Sequence, residues 1–247
     1  MKRIRNRVLW ICALFLAAGP AGAADWFVAT SGNDAAAGTN WGTAKLTIQT
    51  AVDAAVDGET VWVSNGVYAT GARAAGGITN RIAVTNAISL RSVNGPEVTI
   101  IDGSNQVRGV YMSTGVILDG FTVTRGGAIT GGGVYVSGSA LVTNCTLFHN
   151  LATNGGGIAY GTVRNCRILQ NSCIMYNGGC PLGGGAYGSA IYDSVIISNQ
   201  VNQDGNGGGI FGGMASNCLI QMNSAYKGGG TAQSIDVGCQ INGNLAR

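Results

Sequence analysis

From residue 59 onward the apolar positions come in short β-branched alternations broken by glycine, as in Thr60-Val61-Trp62-Val63, Gly133-Val134-Tyr135-Val136 and Val195-Ile196-Ile197. A period of two predicts short strands. Upstream the pattern changes. Ile48, Ala51, Val52, Ala55 and Val56 recur at steps of three and four, which predicts an amphipathic helix over residues 46–57 ended by Gly58. At the start of the chain Lys2, Arg3, Arg5 and Arg7 precede an unbroken apolar run from Val8 to Ala18, and small residues follow. This is the pattern of a secretory signal peptide over residues 1–23, cleaved after Ala21-Gly22-Ala23. The run is too short for an ordinary membrane-spanning helix, so no transmembrane segment is expected once the signal is removed.

The alternations repeat. Gly-Gly-Gly begins at 131, 155, 183, 207 and 228, and a second element follows it in phase: Asn144-Cys145 to Asn150, Asn165-Cys166 to Asn171, Asp193-Ser194 to Asn199, Asn217-Cys218 to Asn223 and Gly238-Cys239 to Asn244, with a degenerate first copy starting at Asp119-Gly120. Repeats of 21 to 28 residues specify a solenoid, in which each turn buries its apolar face only against its neighbours. A leucine-rich frame is missing, and helical repeats would need apolar residues at three- and four-residue steps. Three short strands per turn, a parallel β-helix, fits the pattern.

The residue before each cysteine is Asp119, Asn144, Asn165, Asp193, Asn217 or Gly238, the set that tolerates a left-handed backbone. This slot is therefore expected to be a tight corner. Stacking would place like on like about 4.8 Å apart, building a column of cysteine, a column of Leu, Ile and Val, and a structural ladder of Asn150, Asn171, Asn199, Asn223 and Asn244. Residues 24–58 would form an N-terminal cap and residues 59–247 the repeats. The chain stops three residues after an intact repeat, so the β-helix is expected to be incomplete at its C-terminal end.

Gly-Gly-Gly-Ile at 155–158 and 207–210, Gly-Gly-Ala-Ile at 126–129, and the Leu/Ile-x-x-Asn element resemble the repeats of polymorphic outer-membrane proteins, whose hallmark pairs Gly-Gly-Ala-Ile with Phe-x-x-Asn. Here Leu147, Ile168, Ile196, Ile220 and Ile241 stand where that family has its aromatic. Residues 59–247 therefore resemble more broadly the pectate-lyase-like superfamily of right-handed parallel β-helices, and the segment from Asp25 to Asp34 with Trp41 resembles the start of many secreted members. The resemblance implies surface exposure and adhesion.

Composition narrows the function. The formal charge of +3 comes from the leader, because without its four basic residues ten Lys and Arg face eleven Asp and Glu. No basic cluster remains downstream, which argues against nucleic-acid binding. Glycine makes up 42 of 247 residues, against an average of roughly 7%, so backbone pairing and turns must dominate the fold. Six cysteines follow the leader. In an exported chain this favours disulfides over metal ligation. Cys173 and Cys180 lie in the residues that lengthen one repeat to 28 and are expected to bridge, whereas Cys145, Cys166, Cys218 and Cys239 are expected to be free buried thiols. No metal site or cofactor is expected, given the single His149 and no Cys-x-x-Cys. Positions equivalent to His149 hold Gln170, Ser198, Met222 and Gly243, which reads as an ordinary surface slot.

Glycosidic cleavage needs converging carboxylates, yet Asp193, Asp204 and Asp236 fall on separate turns. If the chain were a polysaccharide lyase or glycoside hydrolase, Asp102, Asp119 and Arg125 would carry the reaction. Tyr135, Tyr187 and Phe211 share the second position after Gly-Gly-Gly and would form a spaced aromatic column able to stack on sugars. The expected function is a secreted or outer-membrane surface module that binds a glycan or a protein without catalysis. A lyase or hydrolase, or a structural spacer, are the alternatives.

Overall fold

The computed structural model describes residues 24–175 and 179–247, so the expected leader lies outside the described residues. Among these residues no helix is long and apolar enough to cross a membrane. The chain winds as a right-handed parallel β-helix. Sheet I has nine strands, from Asp25–Val28 to Ile235–Val237; sheet II has eight, from Gly66–Tyr68 to Gln240–Asn242; sheet III has eight, from Arg73–Ala75 to Thr231–Ala232; and a short sheet IV has five, from Leu151–Ala152 to Leu245–Ala246. One turn runs Leu141–Thr143 in sheet I, Thr146–Phe148 in sheet II, Leu151–Ala152 in sheet IV and Ile158–Ala159 in sheet III. Alternation puts Leu147, Ile168, Ile196 and Ile220 in one register and fully inside.

Non-glycine residues turn two of the corners. Asn144, Asn165, Asp193 and Asn217 have φ of 50 to 54°, as the spacing predicts. The first copy departs from that expectation. Asp119 pairs with Thr143 inside a strand, and the left-handed residue is Gly120 at φ 82°. Phe121 therefore takes the cysteine slot, its N–H donating to Cys145 Sγ at 3.4 Å. The slot of His149 is a surface site, as expected, and also a corner: Arg125, His149, Gln170, Ser198 and Met222 all have φ of 51 to 57°.

A non-glycine residue in this region costs about 1–2 kcal/mol, and the next residue supplies the offset. Asn171 donates its backbone N–H and Nδ2 to Asn199 Oδ1 at 2.9 and 3.0 Å, and Nδ2 also reaches Leu147 O at 2.8 Å. Its Oδ1 in turn accepts the backbone N–H and Nδ2 of Asn150, both at 3.0 Å. The same set recurs at Asn199 and Asn223. Every lone pair and proton of these buried amides is used, and at about 1 kcal/mol per bond the ladder outweighs the corner. The expected polar column is thus present, and it is interior.

The glycine triplets follow from the ladder. A Cβ on Gly157 would lie 2.6 Å from Gly185 O and 3.0 Å from Asn171 Nδ2, a separation that backbone cannot relieve. The first glycine of the triplet, Gly155, has φ +65°. Backbone of adjacent turns and the ladder amide occupy the space a side chain would need.

At the N-terminal end Asp25–Val28 joins sheet I beside Thr60–Val63, so residues 24–58 contribute a strand as well as a lid. The helix spans Ile48–Ala54, capped by the Thr47 side chain accepting from Thr50 N. It is shorter than expected: Ala55 is already extended, and Val56, 60% exposed, ties its N–H to Glu59. Buried Gln49 accepts from Ala83 N at 2.8 Å and donates to Ala83 O at 3.2 Å, so a side-chain amide completes the edge of sheet III.

Among the described residues all six cysteines are unbonded. The expected Cys173–Cys180 bridge is absent because Cys173 occupies the inward slot of sheet IV, packed in a small column with Ala152, Val201 and Ala225, while Cys180 is exposed outside it. Burial pushes the Cys173 thiol up to about 12 and the Cys145 thiol well above its ordinary value.

Replacing Asn171 with Ala strands the amide protons of Asn150 and should lower the unfolding free energy by about 3 kcal/mol, read from urea titration; a change below about 0.5 kcal/mol would contradict the ladder account. In native protein a water-soluble thiol reagent should modify Cys180 at once, and Cys145, Cys166 and Cys173 only after denaturation. Loss of the Cys173 and Cys180 thiols from unreduced, denatured protein would instead restore the bridge.

Candidate ligand-binding face

The charged candidates do not converge. Asp102 ends a strand of sheet II, 3% exposed, with Arg125 Nε at 3.0 Å and Arg125 Nη2 on its other oxygen. Ser104 N–H adds a third bond at 2.7 Å, and Arg81 Nε donates to the Asp102 backbone carbonyl. Burial pushes the Asp102 carboxyl up, but the Arg125 and Ser104 hydrogen bonds and the charges of Arg125 and Arg81 outweigh it and hold the group below its ordinary value. Asp119 lies at the other end of the intervening strand Thr122–Thr124, at the corner between sheets I and II, where Arg91 Nη1 at 2.6 Å and Asn144 Nδ2 at 2.7 Å engage both oxygens.

Of the three candidates the fold brings together Asp102 and Arg125 only, and as a closed pair. Asp193 accepts from Asn217 and Asp236 from Thr231 and Ser234. His149 stacks on Phe148 at 3.8 Å. Among the described residues no three His, Cys, Asp or Glu side chains are grouped so as to hold a metal ion.

The outward face of sheet III is different. Its inward residues Val110, Val134, Ile158, Ala186 and Ile210 are buried, and between them Tyr111, Tyr135, Tyr187 and Phe211 point out. Tyr111 stacks on Tyr135 with centroids 5.9 Å apart and 17° between planes, and Tyr187 on Phe211 at 5.8 Å and 7°. Ala159 interrupts the register between Tyr135 and Tyr187. Tyr160 closes the gap, edge-to-face with both at 5.8 and 5.5 Å. Five rings thus form one continuous column.

Arg108, 4% exposed, lies 4.8 Å from the Tyr135 centroid and donates to Gly131 O, Thr130 O and Asn80 Oδ1, with no carboxylate partner among the described residues. Desolvation brings its pKa down to about 10, against the opposing influence of Tyr135 and Tyr111.

The sequence pattern identified Tyr135, Tyr187 and Phe211 and missed two members. Gly109-Val110-Tyr111 matches Gly133-Val134-Tyr135 and could have been found by that match, whereas Tyr160 sits one position out of phase. A separate groove of about 590 Å³, lined by Ile78, Thr79, Gln106, Ile129, Leu151 and Ile174, escaped notice because its residues come from several turns.

Because the Asp102 carboxyl is depressed in the fold, its stabilisation is present above its ordinary value near 3.8 and is lost as pH falls through the lower folded value. Thermal melts of Asp102→Asn should therefore show a deficit at pH 7 that shrinks below pH 4; an equal deficit at both would contradict the ion-pair assignment.

No family model matches the chain, and no curated protein matches it. Solved structures do. A pectate lyase, Pel9A, superimposes with TM-score 0.57 and 19% identity over 91% of this chain and 58% of its own. The pectin methylesterase PemA from Erwinia chrysanthemi gives 0.50 and 12% over 81% and 66%, and a rhamnogalacturonan lyase 0.48 and 14% over 90% and 62%. This chain spans little more than half the length of the pectate lyase, and at these identities the likeness is one of fold alone, a parallel β-helix.

Proposed function

We propose that this chain is a secreted or outer-membrane surface module that holds an extended glycan against sheet III without cleaving it. The observation that carries the reading is the unbroken column of five outward rings, spaced 5.5 to 5.9 Å. That spacing is comparable to the length of one sugar unit. The phenol hydroxyls of Tyr111, Tyr135, Tyr160 and Tyr187 supply donors and acceptors along it, and buried Arg108 adds a cation near one end. A rigid face that repeats at the step of the ligand lets several weak contacts add without ordering flexible loops. The likeness of Gly126-Gly127-Ala128-Ile129 to polymorphic outer-membrane repeats supports the surface placement.

The rival reading is a polysaccharide lyase, hydrolase or esterase, favoured by the fold of the solved neighbours. An acid or base must be free to move a proton, and Asp102 and Asp119 are each engaged at both oxygens. This favours retention over cleavage.

The test uses protein beginning at Ala24, incubated with acidic and neutral polysaccharides with and without calcium, and reads both co-sedimentation and chain shortening. Retention without shortening is expected, reduced at least about tenfold by combined Tyr135→Ala and Tyr187→Ala, a loss of about 1.4 kcal/mol. Shortening that disappears in Asp119→Ala would make the chain an enzyme, and neither retention nor shortening would leave a structural spacer.

A further inference from the structure

The ring that completes the column does so at a conformational cost. Its slot belongs to Ala159, fully buried and in register with Tyr135 and Tyr187. Tyr160 reaches the gap from the next position, with φ +65°; the equivalent residues of the two following turns are Gly188 and Gly212, at +63° and +65°. A bulky residue on this backbone is an outlier. The neighbouring turn makes room for it, since a Cβ on Gly188 would lie 3.0 and 3.1 Å from the Tyr160 ring. Despite its place between two rings, Tyr160 remains 38% exposed.

Orientation separates Tyr160 from the other four. Tyr111 with Tyr135, and Tyr187 with Phe211, are near-parallel pairs, 17° and 7° between planes. Tyr160 stands at 87° to Tyr135 and 75° to Tyr187, so any ring lying parallel to its face is nearly perpendicular to theirs. In an equatorially linked polysaccharide each pyranose plane contains the chain direction. Such a sugar can lie face to face with Tyr160, and meets only the edges and hydroxyls of the others.

We propose that Tyr160 is the stacking platform of sheet III, receiving the apolar C–H face of an equatorially linked hexopyranose. This assignment rests on the glycan-binding reading. The other four rings then act as a rail of edges and hydroxyls that aligns the chain.

The experiment compares Tyr160→Asn and Tyr160→Trp with wild type, using calorimetry with soluble β-1,4-linked glucan and mannan fragments alongside thermal melts. Asn tolerates the left-handed backbone, as at Asn144 and Asn165. The expected result is a melting temperature within a few degrees of wild type, binding of one of these fragments weakened about tenfold in Asn, and binding kept in Trp. Unchanged binding with a lowered melting temperature would overturn the platform and make Tyr160 a gap filler. If Asn lowers both, Tyr160→Leu decides, because it fills the gap without a π face: recovered melting with lost binding supports the platform, and recovered binding overturns it. If wild type binds none of the fragments but is retained by other polysaccharides, the platform fails alone; if it is retained by none, the glycan-binding reading fails as well.

Discussion

Each turn of this solenoid must hand its buried polar groups to the next, and the column of asparagine amides over bare glycine is how it does so. The Oδ1 of one amide accepts two protons from the turn before, and its Nδ2 reaches back to a carbonyl. The amide fits only because the facing glycine has no side chain: Gly157, Gly185 and Gly209 each leave about 3 Å between a hypothetical Cβ and the ladder. Asparagine and glycine are therefore one constraint written at two positions in each repeat. Losing either would leave buried polar groups unpaired or force adjacent backbones apart.

That constraint explains which positions vary. The corner before the ladder accepts His149, Gln170, Ser198 and Met222, since the following asparagine holds the turn whatever precedes it, and at Arg125 the N–H of the following Gly126 donates to Asn150 Oδ1. Outward positions of the strands face no such demand. Sheet III uses this freedom for aromatics, the Asp102–Arg125 pair uses it at the end of sheet II, and the Arg91–Asp119 pair uses it on sheet I. The chemistry available to a ligand is thus displayed on a frame whose order comes from inside the corners.

The period, the strands, the corner residues and the asparagine column were legible in the sequence because each repeats with little change. What the repeat does not constrain was harder to read. The degenerate first copy lacks a cysteine, so Asp119 was aligned one residue away from the true corner at Gly120. The extra residues of the longest repeat suggested a bridge between Cys173 and Cys180, but strand parity sends one thiol inward and leaves the other outside. Periodicity carried the helix past Ala54, where local bonds from Val56 to Glu59 end it. Tyr160 was invisible to a pattern argument because it serves the column from the wrong phase, and the burial of Arg108 because it depends on the hairpin of Arg73–Ala75 and Ile78–Val84.

Amide hydrogen exchange with and without bound polysaccharide tests scaffold and site together. The account predicts that the backbone N–H groups of Asn150, Asn171, Asn199 and Asn223 exchange slowly in both states, although they sit at corners, and that added protection on binding is confined to the outer edge of sheet III around Tyr160, Gly161 and Gly188. Rapid exchange at the ladder, or ligand protection at the Ile129–Leu151 groove instead, would contradict it.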